Sequence, residues 1–411
     1  MPTISRRATE VPLSPFRKLV PFADEAKARG IHVYHLNIGQ PDIPTPPAAL
    51  AALKKTDLKI LAYSPAVGNL SYREKLVDYY RQFDVEINPS EIIVTTGASE
   101  GIQMVFYACL DRGDEIIIPE PFYANYNGFA QIADVNIKPV PTYIESGFAL
   151  PPISTFEQQI TKNTKAIFIT NPSNPTGSFF SKDTLFELAA LVKKYNLYLF
   201  VDEVYREFCY DDQEFYSCLR LAGLEDHVVI VDSVSKRYSA CGARIGAIVT
   251  KNQAVLDSLT RYAKLRLSPP GLAQILSEEM VMTSGDYLAE VKAEYDRRRM
   301  VVYNRLKKIP GVLNYKPGGA FYCFARFPVD SANDFCRWLL ESFSHQGATI
   351  MLSPGEGFYA TPGRGVDEVR IAYVLNTTDL NKAMDCLEIA LVEYPGKTNT
   401  VKNHNLVMNK E

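Results

Sequence analysis

Leu197-Tyr198-Leu199-Phe200-Val201-Asp202-Glu203-Val204-Tyr205 joins the most apolar run of the chain to two carboxylates. Five apolar residues in succession suit a strand buried on both faces, because a half-exposed strand would alternate. Six other short β-rich runs, 92–96, 115–118, 135–140, 166–170, 228–231 and 245–249, several of them also near-continuous in Ile, Val and Phe, have helical or turn-rich stretches between them. Together the seven predict an α/β fold, with a large domain built on a mostly parallel seven-stranded sheet covered by helices.

Outward from that sheet, helical patterns are expected at 22–29, 48–55, 70–83, 102–110, 256–267 and 286–308. A smaller α/β domain built from both chain ends would hold strands at 32–38, 320–327, 348–352 and 369–374, with helices at 331–343 and 379–392. The expected division is 1–47 as an N-terminal segment and part of the small domain, 48–295 as the large cofactor-binding domain, 296–394 as the small C-terminal domain, and 395–411 as a polar tail with an apolar patch at 406–408.

Composition narrows the function classes. The 411 residues are 46% hydrophobic and 22% charged, enough apolar side chain for a large core. Basic and acidic residues, 44 against 47, leave a net charge of −3, which argues against nucleic acid as a partner. The seven cysteines are scattered without CxxC pairs or neighbouring histidines at metal-ligand spacing, so no metal site is expected. No stretch has the apolar length to cross a bilayer or the layout of a secretory signal, and a cytoplasmic setting is expected.

Four polar groups fall just past the C-terminal ends of predicted strands, where open α/β sheets bind ligands. Gly97-Ala98-Ser99-Glu100-Gly101 would set backbone N–H groups at a helix start, either to hold a phosphate or with Ser99 as an ordinary N-cap. Asn171-Pro172-Ser173-Asn174-Pro175-Thr176-Gly177 is either a turn or a loop that fixes the Asn174 amide. Asp202 needs a buried partner, which could be a structural arginine or lysine or a cationic ligand. Lys236, in Ser233-Val234-Ser235-Lys236 beyond the 228–231 strand, is either a solvated lysine or a Schiff-base lysine.

Taken together, these motifs resemble the class I/II pyridoxal-phosphate-dependent aminotransferases, aspartate aminotransferase-like members included, over residues 12–392. The resemblance implies pyridoxal 5'-phosphate as cofactor, Lys236 as its Schiff-base lysine and Asp202 as partner of the pyridine nitrogen. It implies that Tyr205 and Asn174 bond the ring's phenolic oxygen and that Tyr123 of Phe122-Tyr123-Ala124-Asn125-Tyr126 stacks on its face. Ala98, Ser99, Ser233, Ser235 and Arg244 match the phosphate-binding set. Tyr63 matches a tyrosine that reaches the neighbouring subunit's cofactor, which implies a homodimer with shared sites. Gly39 and Arg370, the latter in Val369-Arg370-Ile371-Ala372-Tyr373, match positions that receive the substrate α-carboxylate beside Asn174.

The expected reaction moves an amino group from an α-amino acid, aspartate first among donors, to a 2-oxo acid, 2-oxoglutarate first among acceptors, by a ping-pong mechanism. A C–S β-lyase using the same cofactor, and a non-catalytic ligand-sensing protein of the same fold, are the alternatives. Ser99 stands where some aspartate-specific relatives carry a lysine, and Ala243 and the segment Arg237-Tyr238-Ser239-Ala240-Cys241 also depart from the commonest pattern. Arg17, Lys264 and Arg266 are candidate replacements for the missing cation.

Overall fold

The computed structural model describes residues 2–12 and 17–398. Its strands, in chain order, are β1 (His32–His35), β2 (Ile92–Thr95), β3 (Glu115–Glu120), β4 (Asn136–Pro141), β5 (Thr164–Thr170), β6 (Tyr198–Asp202), β7 (Val228–Ser233), β8 (Gly246–Val249), β9 (Leu313–Asn314), β10 (Tyr322–Arg326), β11 (Ala348–Met351), β12 (Ser353–Pro354) and β13 (Glu368–Ala372). All seven runs predicted for the large sheet are strands of one sheet, ordered β2-β8-β7-β6-β5-β3-β4. Six run the same way. β8 is antiparallel to both β2 and β7, so the sheet is mixed at that edge. A short apolar run reads alike in either direction, which is why the reversal has no sequence signature.

Each strand of the sheet centre is sandwiched. In β6, Leu199 and Val201 point into a cluster with Leu185, Leu188 and Val192 of the helix Lys182–Tyr195, while Phe200 points to the opposite face among Phe106 and Leu259. Successive side chains leave a strand on opposite faces, so a run with no polar member needs two apolar layers. Burying each of these side chains contributes about 1.5–3 kcal/mol.

The helix expected at 102–110 begins earlier, at Gly97, and runs to Cys109. Gly97-Ala98-Ser99-Glu100-Gly101 is therefore its first turn rather than a turn before it, and its N-cap is Thr96, not Ser99. Glu100 closes the turn by accepting from the Thr96 N–H at 2.6 Å. Predicted helices at 22–29, 48–55, 70–83, 256–267 and 286–308 are Val20–Ala28, Pro47–Lys55, Leu70–Arg81, Gln253–Arg266 and Gly285–Leu306. The helix Gly271–Val281 has no counterpart in the sequence reading.

The second layer system draws on both chain ends. β1 pairs in parallel with β11, and β12-β13-β10-β9 form an antiparallel sheet. One core joins Leu19, Ala23, Val33 and Leu36 to Phe335, Leu339, Ile350 and Leu387. The strand predicted at 32–38 ends at His35, and residues 36–41 form a loop instead. The apolar patch at 406–408 lies outside the described residues. Among the described residues, no helix is long and apolar enough to cross a membrane.

Gly246 fixes how closely the sheet edge meets the helix Gly97–Cys109. It pairs with Thr95 and Ser233 at the ends of β2 and β7. A Cβ there would lie 2.7 Å from Asp232 O, 2.7 Å from Gly97 C and 2.8 Å from Ala98 N, all backbone atoms. Gly246→Ala should therefore lower stability by about 1–3 kcal/mol in urea unfolding, since backbone on three sides cannot step aside cheaply. An unchanged midpoint would show that the strand ends give way.

Candidate active site

The C-terminal ends of β2, β3, β5, β6 and β7 open into a cavity of about 810 Å³. Twelve of the thirteen site residues expected from the sequence line it or stand in its wall. Ala98 and Ser99 come from the helix after β2, Tyr123 from the β3 end and Asn174 from the β5 loop. Asp202 and Tyr205 follow from β6, and Ser233, Ser235, Lys236 and Arg244 from the β7–β8 connection. The second layer system contributes Gly39 and Arg370. Tyr63 is not brought there: it is 80% exposed and lines a separate concavity with Ser268 and Pro269.

Asp202 is the unusual member. Its carboxylate is buried, and its hydrogen bonds come from the Tyr126 hydroxyl at 2.8 Å and the Val204 N–H at 3.2 Å, neither of them charged. Burial pushes its pKa from 3.8 up to about 6, against the pull of those two donors. Of the two sequence readings, a structural arginine or lysine is not the one realised among the described residues. A carboxylate in this state suits a cationic ring nitrogen.

Lys236 faces the same cavity. Its Nζ donates to Gly39 O at 2.8 Å and lies 3.9 Å from Cys241 Sγ. Nearby, Ser233 and Ser235 share a hydroxyl contact of 2.7 Å beside the N-terminus of the helix Gly97–Cys109. Arg244 lies against this end, where a Cβ on Gly97 would meet its Nη2 at 2.5 Å and push the guanidinium aside; the φ of +75° at Gly97 itself favours glycine. Two hydroxyls, a guanidinium and a helix N-terminus form a cup whose chemistry suits a phosphate dianion.

Across the cavity, Arg370 is buried and without an acidic hydrogen-bond partner. It donates to Asn174 Oδ1 at 2.9 Å, Asn37 O at 2.6 Å and Ser353 Oγ at 3.4 Å, while its Nε has no partner. Its guanidinium lies 4.7 Å from the Tyr322 ring and 4.9 Å from the Phe358 ring. Burial lowers its pKa. A cation so placed fits a carboxylate supplied from outside. Gly39 leaves that space open, because a Cβ would fall 1.8 Å from the Tyr322 hydroxyl.

Several functional neighbours carried no usable signal in the sequence. Tyr126 supports Asp202 and also contacts Thr170 Oγ1 at 2.8 Å. Tyr322, in contact with the Tyr205 hydroxyl at 2.9 Å, starts a strand remote in sequence. Of the three candidate cations, Arg17 lines the cavity. Arg266 instead pairs with Glu100 at 2.5 Å and donates to Ala66 O and Val94 O, and Lys264 is not part of the cavity wall.

The raised pKa of Asp202 sets a pH signature in the coenzyme-free protein. A carboxyl group whose folded pKa is raised favours the fold fully below pH 3.8, and that contribution is lost as pH rises through about 6. Two pKa units correspond to about 3 kcal/mol. Asp202→Asn should thus be more stable than the parent by about 1–3 kcal/mol at pH 8, with the difference shrinking toward pH 4 in urea titrations. A difference independent of pH would contradict this account.

The chain matches the family model for aminotransferase class I and II over residues 31–387. It is 34% identical over 366 residues to an aspartate aminotransferase of Pyrococcus horikoshii, covering 87% of this chain and 90% of the relative. Likeness extends to aromatic-amino-acid aminotransferase 2 of Thermococcus litoralis, 30% identical over 95% of this chain and 98% of that protein. Among solved structures, the alanine aminotransferase from Pyrococcus furiosus superimposes with a TM-score of 0.87 at 30% identity, covering 95% of this chain and 100% of that one. Thermus thermophilus aspartate aminotransferase with maleate gives a TM-score of 0.85 at 27% identity, over 95% of this chain and 100% of that one. With its sheet, its cavity and a match spanning both layer systems, the chain belongs to the class I and II aminotransferase family and is a transaminase.

Proposed function

We propose that this transaminase uses pyridoxal 5'-phosphate, held through Lys236, to move the amino group of aspartate to 2-oxoglutarate. The observation that carries the reading is the buried Asp202 carboxylate, without a cation of its own, facing the same cavity as the Lys236 amine. When bound, pyridoxal phosphate supplies an aldehyde that exchanges amino groups and a cationic ring that draws electrons from Cα. Asp202 keeps that ring charged, Tyr205 and Asn174 hold its hydroxyl side, and Tyr123 covers one face. Ala98, Ser99, Ser233, Ser235 and Arg244 hold its phosphate.

Arg370 binds the α-carboxylate in its fork, and Asn174 keeps the fork turned toward the cavity. That contact sets which bond at Cα stands ready to break. Lys236 Nζ, released when the substrate's amino group replaces it, would then take the Cα proton as general base and give it back as the transfer completes. The amino group stays with the enzyme after the 2-oxo acid leaves, so kinetics are ping-pong.

For the donor, Arg17 is the one of the three candidate cations that lines the cavity, beside Lys27, and it can meet a side-chain carboxylate. Names of relatives such as the aspartate aminotransferase of Pyrococcus horikoshii support the same choice. We assign a homodimer with shared sites, supported by the exposed apolar residues Ile60, Leu61, Leu265 and Leu267 around Tyr63. The domain division at 1–47, 48–295, 296–394 and 395–411 belongs to this reading, supported by the pairing of β1 with β11. The seven free cysteines support a cytoplasmic setting.

Purified protein should bind pyridoxal phosphate with visible absorbance that Lys236→Ala abolishes; a wild type that stays colourless with added coenzyme overturns the assignment. In a donor panel, Arg17→Ala should slow aspartate by about tenfold to a hundredfold, the ~1.4–3 kcal/mol of a charge-assisted hydrogen bond, and leave alanine unaffected. Equal losses on both donors would remove Arg17 from specificity, and pyruvate and ammonia released from cysteine-type substrates would indicate a lyase. Leu61→Asp with Leu265→Asp should yield monomers in sedimentation and weaken coenzyme binding; an unaltered dimer places the interface elsewhere.

A further inference from the structure

Behind the cavity wall, on the reverse side of the two loops that carry Asp202 and Lys236, lies a cluster of five charges, four of them buried and Glu207 partly so. Glu203, Arg206 and Glu207 follow Asp202, and Asp232 and Arg237 flank the segment 233–236. None of the five lines the cavity. Asp202 lines the cavity and its neighbour Glu203 does not. Lys236 and Arg237 divide in the same manner.

Asp232 is the centre of the cluster. Its carboxylate accepts both ends of the Arg237 guanidinium, at 2.8 Å each. It also accepts the Ser233 N–H at 2.7 Å and the Tyr80 hydroxyl at 3.2 Å, and Arg206 Nη2 stands 3.4 Å away. Arg206 in turn lies 3.2 Å from Glu203 Oε2 and over the Tyr80 ring at 4.5 Å. Arg237 lies over the Tyr79 ring at 4.5 Å and 3.5 Å from Glu207 Oε1. Burial pushes the Asp232 carboxyl up, but the two arginines outweigh it and hold the group below its ordinary value.

Stability is a weak reason for such a cluster. Buried ion pairs lose so much hydration that well-packed apolar residues often serve as well or better. Here Arg206 Nη1, Arg237 Nε and Glu207 Oε2 lack hydrogen-bond partners, which adds to the cost. What the cluster does is geometric. The Asp232–Arg237 fork closes the segment that bears Ser233, Ser235 and Lys236, and Arg206 ties that segment to the loop bearing Asp202 and Tyr205. The connection beyond Lys236 is strained, with Ser239 at φ +49° and Arg244 at φ +55°, and strained backbone persists only where its surroundings over-determine it.

We propose that Asp232 is a positioning residue which, clamped by Arg237 and reached by Arg206, holds Lys236 and the two serines in one fixed relation to Asp202. The inference rests on the coenzyme assignment above. A lysine in place of Arg237 keeps the charge and loses the fork. Arg237→Lys should therefore raise the dissociation constant for pyridoxal phosphate, read from visible absorbance, by about tenfold or more, and lower kcat with little change in KM for the donor.

A second variant, Asp232→Leu with Arg237→Met, removes one carboxylate and one guanidinium together and leaves the cluster's net charge unchanged. It leaves neither member of the fork as an unpaired charge, and it should still bind the coenzyme at least about tenfold more weakly. The control is Arg299→Lys, a buried arginine forked to Asp211 away from the cavity, which should lower the thermal midpoint without altering coenzyme affinity. The proposal is overturned if both Asp232 and Arg237 variants bind coenzyme within about twofold of the parent, or if Arg299→Lys weakens binding as much as Arg237→Lys. A parent protein that forms no coloured complex overturns the coenzyme assignment as well, which separates the two failures.

Discussion

A carboxylate at the end of an apolar strand, buried and with no cation in hydrogen-bond contact, is the constraint around which this molecule is arranged. Asp202 could have been neutralised by any nearby arginine, and the chain has buried arginines to spare in Arg206 and Arg237. Instead those two are bound to Asp232, Glu203 and Glu207 behind the loop, and Asp202 receives only a phenol and a backbone N–H. The separation of paired from unpaired charge across one loop is a polarity built into the wall of the cavity. It leaves Asp202 to be satisfied by whatever binds there.

The opposite wall repeats the device with the opposite sign. Arg370 is buried, and its partners are an amide, a carbonyl and a hydroxyl. Each unpaired charge would gain by meeting the other, since opposite charges attract more strongly beside a protein interior than in bulk water. The neutral groups Asn174, Tyr205 and Tyr322 occupy the ground between, and the Tyr205–Tyr322 contact ties the large sheet's loop to β10. A cofactor with a cationic end and a substrate with an anionic end can then each lower the free energy of a charge that the protein leaves exposed to the cavity.

How much of this was legible in the sequence follows from what each feature depends on. Most strands of the sheet were visible because a doubly covered strand is apolar nearly throughout, as 197–201 is, whereas the half-buried edge strand β4 was visible from its Ile and Val alone. The residues of the cavity were visible because strand ends in such sheets collect polar groups, and the spacing of Lys236, Asp202 and Asn174 matched a family pattern. Tyr126 and Tyr322 were not, since their importance comes from contacts across 76 and 117 residues, which no local pattern encodes. The start of the helix at Gly97 was missed for a related reason. Two glycines in five residues read as a turn, but Glu100 and the closeness of Arg244 make a helical first turn the better solution.

The reversed strand β8 shows why the phosphate cup sits where it does. If β8 ran with its neighbours, its N-terminal residue would lie at the far edge of the sheet. Because it is antiparallel, Gly246 opens the strand beside the C-terminal ends of β2 and β7, and Arg244, two residues earlier, emerges at the rim that carries Ser233 and the helix N-terminus. The eight-residue interval from Lys236 to Arg244 is then the length of chain needed to leave β7, turn, and return at the same edge. The left-handed backbone at Arg244 completes that turn. A motif that looked like spacing in the sequence is thus the consequence of one strand's direction, and the same direction forces residue 246 to be glycine.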